Sequence, residues 1–119
     1  MLTPEKKQKY IKGWLQREKN KKMKLKQKKE KAMKKAKKIS TRLKTKYGIT
    51  RVILFGSLAE NKFWEHSDID LAVTDLSEEK YLEAFGEATD IASPFKVDVI
   101  IIEKAPELLI KKINRGIEI

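Results

Sequence analysis

Across residues 3 to 46 polar and apolar positions repeat at helical spacing, with Gly13 the one weak point. The apolar residues fall in two groups. Tyr10, Ile11, Trp14 and Leu15 form a patch, and Met33, Ala36, Ile39, Leu43 and Tyr47 form a stripe in steps of three and four. Between them, residues 16 to 31 offer only Met23 and Leu25 among many lysines. Thr3-Pro4-Glu5 supplies a helix start, with Thr3 as cap, Pro4 at the first helical position and Glu5 against the dipole. Tyr47-Gly48 supplies the stop. The pattern predicts a long helix whose second stripe docks on the rest of the chain. The part before that stripe projects into solvent or onto a partner, and the Trp14 patch is either a partner surface or folds back onto the body.

After Gly48 the period changes. Residues 51 to 55 are a near-continuous apolar run, which predicts a strand buried on both faces. Gly56-Ser57 turns the chain, residues 58 to 62 are expected to open a short helix, and residues 63 to 66 form a loop. Residues 68 to 73 are the second strand. Ser77-Glu78-Glu79 starts a helix, with Ser77 as N-cap and acids in the first turn; its apolar face is Tyr81, Phe85, Ala88 and Ala92, and Ser93-Pro94 closes it. Residues 96 to 102 are the third strand. A last helix over 106 to 114 turns Leu109, Ile110 and Ile113 inward with Gly116 as its cap, and Ile117-Glu118-Ile119 adds an edge strand. The order α-β-α-β-α-β-α implies an α/β (α+β) fold with one small mixed sheet flanked by helices. Two regions are expected: a basic helical arm, 1–46, and a core, 47–119.

Composition changes this picture mainly through charge. The 119 residues carry a net charge of +11, unevenly placed. Residues 1 to 48 hold twenty Lys/Arg against three Glu, or +17, and the remainder holds eight against fourteen, or −6. A charge-based case for nucleic acid or an acidic partner therefore concerns the arm alone, where a solvated lysine face is the competing reading. The absence of cysteine excludes a disulfide scaffold, thiol catalysis and a Cys-based zinc site. No apolar run is long enough for a membrane span, and the basic N-terminus lacks the apolar region of a secretory signal, so a soluble cytoplasmic protein without membrane contact is expected.

The chemistry concentrates at Leu54-Phe55-Gly56-Ser57 and Ser67-Asp68-Ile69-Asp70-Leu71. On a strand Asp68 and Asp70 share a face, while Ile69 and Leu71 share the opposite one. Two carboxylates so close repel unless a cation lies between them. Asp98 stands alone in the apolar strand Val97-Asp98-Val99-Ile100, and burying it there unpaired would cost several kcal/mol, about 3 or more. If that strand lies beside the Asp68/Asp70 strand, three carboxylates meet on one face. Such an all-oxygen set suits Mg²⁺ or Mn²⁺ rather than zinc, and two such ions support phosphoryl or nucleotidyl transfer. Gly56-Ser57 lets backbone amides approach a phosphate, although Walker spacing is absent. Together these elements describe a nucleoside triphosphate held at the turn and, through metals, at the aspartates. His66 reads as a solvent-facing loop histidine, and Phe63 and Trp64 as cover for the core edge. Ser57 has no placed base to make it a nucleophile.

Gly56-Ser57, ten intervening residues, Asp68-Ile69-Asp70 and a later strand aspartate, Asp98, resemble the signature of polymerase-β-type nucleotidyltransferases. The resemblance is closest to the minimal nucleotidyltransferase (MNT) proteins and runs from about residue 47 to 119. It implies that Asp68, Asp70 and Asp98 bind Mg²⁺, that Asp98 helps deprotonate an acceptor hydroxyl, and that Gly56-Ser57 holds the triphosphate of ATP. It further implies an antitoxin that AMPylates a tyrosine of a HEPN ribonuclease toxin. The alternatives are an antitoxin that neutralises its partner by binding alone and a nucleotidyltransferase with a small-molecule acceptor. Many relatives carry an arginine just after the Gly-Ser pair. Here the run is Gly56-Ser57-Leu58-Ala59-Glu60-Asn61-Lys62, which leaves the phosphates to Lys62 or Arg51.

Overall fold

A computed structural model describes residues 3 to 119; the first two residues of the arm lie outside it. The arm and the docking stripe form one helix, α1, Pro4–Tyr47, unbroken at Gly13. Thr3 caps it by accepting a hydrogen bond from the Lys6 amide at 3.3 Å, and Gly48 ends it in the left-handed conformation at φ 67°. The stripe docks as its spacing implies. Ala36, Ile39 and Leu43 are fully buried, Ala32 and Ser40 join them, and Met33 and Tyr47 pack at the margin.

The remaining elements are β1 (Val52–Phe55), β2 (Ile69–Val73), α2 (Glu78–Ala92), β3 (Val97–Ile101), α3 (Glu107–Ile113) and β4 (Ile117–Glu118), with a single 3-10 turn between β3 and α3. They form a mixed sheet in the order β3-β2-β1-β4, with β1 antiparallel to β2 and β4, and β2 parallel to β3. α1 and α2 cover one face over Val52, Leu54, Leu71, Val73 and Val99. α3 covers part of the other, where Phe55, Ala72 and Ile113 pack together. The two covering helices are tied by Glu87 of α2, which accepts from Arg42 (3.0 Å), Lys46 (2.8 Å) and the Tyr47 hydroxyl (2.5 Å). No helix among the described residues is long and apolar enough to cross a membrane.

Three local expectations are corrected. Residues 58 to 61 form turns instead of a helix, and residue 62 is irregular, because Leu58 and Phe63 are both drawn into the core and Asn61 takes a positive φ of 57°, which a right-handed helix does not accommodate. The order is thus α-β-β-α-β-α-β. α3 ends on Asn114, and Gly116 serves close packing rather than capping: a side chain there would collide with the Leu54 carbonyl as β4 turns onto β1. Ser77 precedes α2 at the cap position but makes no side-chain capping bond.

Candidate functional site

The strand pairing assembles the site. Asp70 lies opposite Phe55, the last residue of β1, and beside Asp98 on β3. Because side chains alternate, Asp68, Asp70 and Asp98 share the α3 face of the sheet, at the end that α3 leaves uncovered. Gly56 continues directly from Phe55 at φ 77°, and a Cβ there would collide with Asp70 Oδ2. The Gly56-Ser57 turn and the Asp70 carboxylate are therefore in contact, which only glycine permits.

The electrostatics differ from the sequence expectation in one respect. Asp98, expected to be the buried acid, is exposed, since β3 is the sheet edge and nothing covers that position. The desolvated acid is Asp70. Burial, then the charges of Asp98 and Asp68, push its carboxyl up from 3.8 to about 6, with Lys112 opposing them. Asp68 stands just before β2 and Asp70 within it, and Asp98 stands beside Asp70 on the next strand. Among the described residues no three acid, imidazole or thiol side chains stand close enough to enclose an ion.

Two cations at this site escaped sequence reasoning. Lys112, near the end of α3, acts electrostatically on Asp70. Arg115 pairs with Glu60 at 3.3 Å and so stands beside the turn after Ser57. Both lie more than forty residues from the motif they face, and only the return of α3 across the sheet brings them there. Arg51 is excluded from the phosphate seat: it sits at the opposite end of β1 and pairs with Glu118 at 2.5 Å. Lys62 remains exposed on the loop, its amide bonded to the Ser57 carbonyl at 2.8 Å. His66 is exposed against the edge of the exposed Trp64, whereas Phe63 belongs to the core.

Residues 37–119 match the family model described as polymerase beta, nucleotidyltransferase. The chain belongs to that nucleotidyltransferase family. No curated protein matches it at a significant level. Among solved structures, this nucleotidyltransferase shares its fold with a chain from the toxin–antitoxin MntA-HpeT, an Asp-to-Glu double mutant. The TM-score is 0.59 and the identity 22%, over 70% of each chain. A toxin–antitoxin structure with AMP-PNP gives a TM-score of 0.57 at 22% identity, over 68% of this chain and 69% of the other. At that identity the likeness establishes the fold.

The donor set suits the divalent cation that such a fold implies. It is all oxygen, and it includes one carboxylate, Asp70, whose ionisation is opposed by burial and two like charges, a situation that a bound cation relieves.

Proposed function

We propose that the protein is a metal-dependent nucleotidyltransferase that AMPylates a tyrosine of a cognate HEPN ribonuclease toxin and thereby acts as its antitoxin. The observation that carries this reading is the contact between the Gly56-Ser57 turn and Asp70, with Asp98 beside it in register. A phosphate-approachable backbone and paired acids on neighbouring strands are what nucleotidyl transfer needs. The two toxin–antitoxin structures of the same fold, one with AMP-PNP, support the choice of ATP and of a protein acceptor.

Asp68, Asp70 and Asp98 would hold Mg²⁺, with Mn²⁺ as a substitute. Bound there, it would neutralise charge on the phosphates and on the attacking and leaving oxygens. The chain's own groups do the rest. Gly56 and Ser57 present backbone amides to the triphosphate, and Lys112 and Arg115 add positive charge from the α3 side. Asp98, solvent-facing at the sheet edge, takes the proton of the incoming tyrosine hydroxyl. The tyrosine oxygen then bonds to the α-phosphorus, the bond from that phosphorus to the bridging oxygen breaks, and pyrophosphate leaves.

Incubation with labelled ATP, Mg²⁺ and the product of the neighbouring gene should label that product on tyrosine. Asp68→Asn with Asp70→Asn should reduce labelling by at least about 100-fold. A double mutant that still protects cells from the toxin as well as wild type would establish neutralisation by binding alone. Transfer to a small molecule in preference to the protein would replace the acceptor assignment.

A further inference from the structure

The N-terminal half of α1 overhangs the catalytic end of the sheet. At 1.5 Å per residue the 44-residue helix is about 66 Å long, and it accounts for the 67 Å long dimension of the molecule. Its antiparallel contacts with α2 set the direction: Lys46 meets Glu83, Arg42 meets Glu87, and Lys35 donates to the Ile91 and Ser93 carbonyls. The loop from the Gly56-Ser57 turn to Asp68 meets α1 at Lys28, paired with Glu65, and at Lys29, bonded to Asn61. N-terminal to Lys28, the side-chain hydrogen bonds and ion pairs of the described residues stay within the helix. The helix therefore leaves the body at the edge where Gly56, Asp70 and Asp98 lie and continues beyond it.

The overhang carries a patch aimed in a defined direction. Trp14, Leu25, Ala36 and Tyr47 are spaced by eleven residues, about three helical turns, so they lie on one helix face. Ala36 is buried against the sheet, and Leu25 and Tyr47 pack at its margins. Trp14 continues this face past the end of the body, 55% exposed, with Tyr10 at 66%, Ile11 at 57% and Leu15 at 53%. At the corner a groove of about 450 Å³ is lined by Lys21, Lys24, Leu25, Lys28 and Glu65.

Resting on the nucleotidyltransferase reading above, we infer that this overhanging face is the docking surface for the protein acceptor, an acidic partner that seats apolar side chains on Tyr10, Ile11, Trp14 and Leu15. Charge selects this occupant. A second copy of the chain would bring two strongly basic arms together, and like charges so dense repel. Within one chain, Glu83 and Glu87 of the body pair with Arg42 and Lys46 in the docked half of α1, and the overhanging lysines lie beyond their reach. Nucleic acid would satisfy the lysines and stack on Trp14 and Tyr10, but it leaves Ile11 and Leu15 without a partner. An acidic protein surface with an apolar centre meets both requirements, and the arm holds it at the end of the sheet that carries Asp98, around which its tyrosine reaches the α3 face.

The test uses the full chain, its Ile11→Ala/Trp14→Ala double variant and its Asp70→Asn variant, with the purified product of the neighbouring gene as probe. The arm variant should bind that protein about tenfold or more weakly and raise KM for it correspondingly. ATP affinity and the melting temperature should stay at wild-type values, because both side chains are exposed. Asp70→Asn should lose transfer while keeping protein binding. An arm variant that binds and is used as an acceptor like wild type overturns the docking surface and leaves the nucleotidyltransferase reading intact. Wild-type binding that depends on the arm, without any AMP transfer, upholds the surface and overturns the reading. Loss of affinity for single-stranded RNA or anionic vesicles, with protein binding unchanged, overturns the surface in favour of those partners.

Discussion

At the scale of the residue, the most informative side chain is Asp70. Its carboxyl is held near 6 by burial and by Asp98 and Asp68, so at neutral pH the fold keeps a charge it would be more stable without. The gap from 3.8 to about 6 corresponds to about 3 kcal/mol, which screening at this half-buried position reduces to roughly 1 kcal/mol. The sign follows from linkage: a carboxyl raised on folding imposes no cost below pH 3.8 and its full cost above about 6. Asp70→Asn should therefore raise metal-free stability at pH 7 by that amount and leave it unchanged near pH 3.5, as read from urea unfolding at both pH values. A variant that is destabilised at pH 7 would contradict the electrostatic account. The motif residues themselves were legible in the sequence, because alternation alone places Asp68 and Asp70 on one face. Which acid is desolvated was not, since that depends on Asp98 lying on an edge strand and Asp70 on an inner one.

At the scale of the element, α1 and α2 are held together by apolar burial and by Glu87. Hydrogen bonds from Lys46, Tyr47 and Arg42 hold the Glu87 carboxyl down from 4.5 to about 2. A carboxyl lowered on folding stabilises above its unfolded value, and that contribution disappears as pH falls from 4.5 through about 2. Glu87→Gln should thus be less stable than wild type at pH 6, with the difference closing between pH 4.5 and 2 in chemical denaturation. Hydrogen exchange should locate the loss at the α1–α2 contact. The stripe that docks α1 was readable from its three-and-four spacing. The missing helix after Gly56-Ser57 was not, because the burial of Leu58 and Phe63 overrides local preference there.

At the scale of the whole molecule, α1 serves two roles along its length. From Ala32 to Leu43 it contributes fully buried side chains to the core; in the Tyr10–Leu15 patch it is exposed. Removing residues 1 to 24 should leave the cooperative melting transition of the body in place. Extending the deletion through residue 43 should abolish it, because Ala32, Ala36, Ile39 and Leu43 go with it and each buried large aliphatic is worth about 2 kcal/mol. Calorimetry of the two truncations distinguishes this division from one in which the whole helix is dispensable.

The sequence by itself determined the long capped helix, the strands before and after the Gly56-Ser57 turn, and the placing of Asp68 and Asp70 on one face. These rest on periodicities and spacings that act over a few residues. Tertiary structure decided what depends on distant segments meeting: the pairing of Asp70 with Asp98, the collision that reserves residue 56 for glycine, and the arrival of Lys112 and Arg115 at the site. It also decided that the helix overhangs the end of the sheet that carries Gly56, Asp70 and Asp98, because the direction in which α1 lies across the sheet is set by its packing against α2 and not by any pattern within α1.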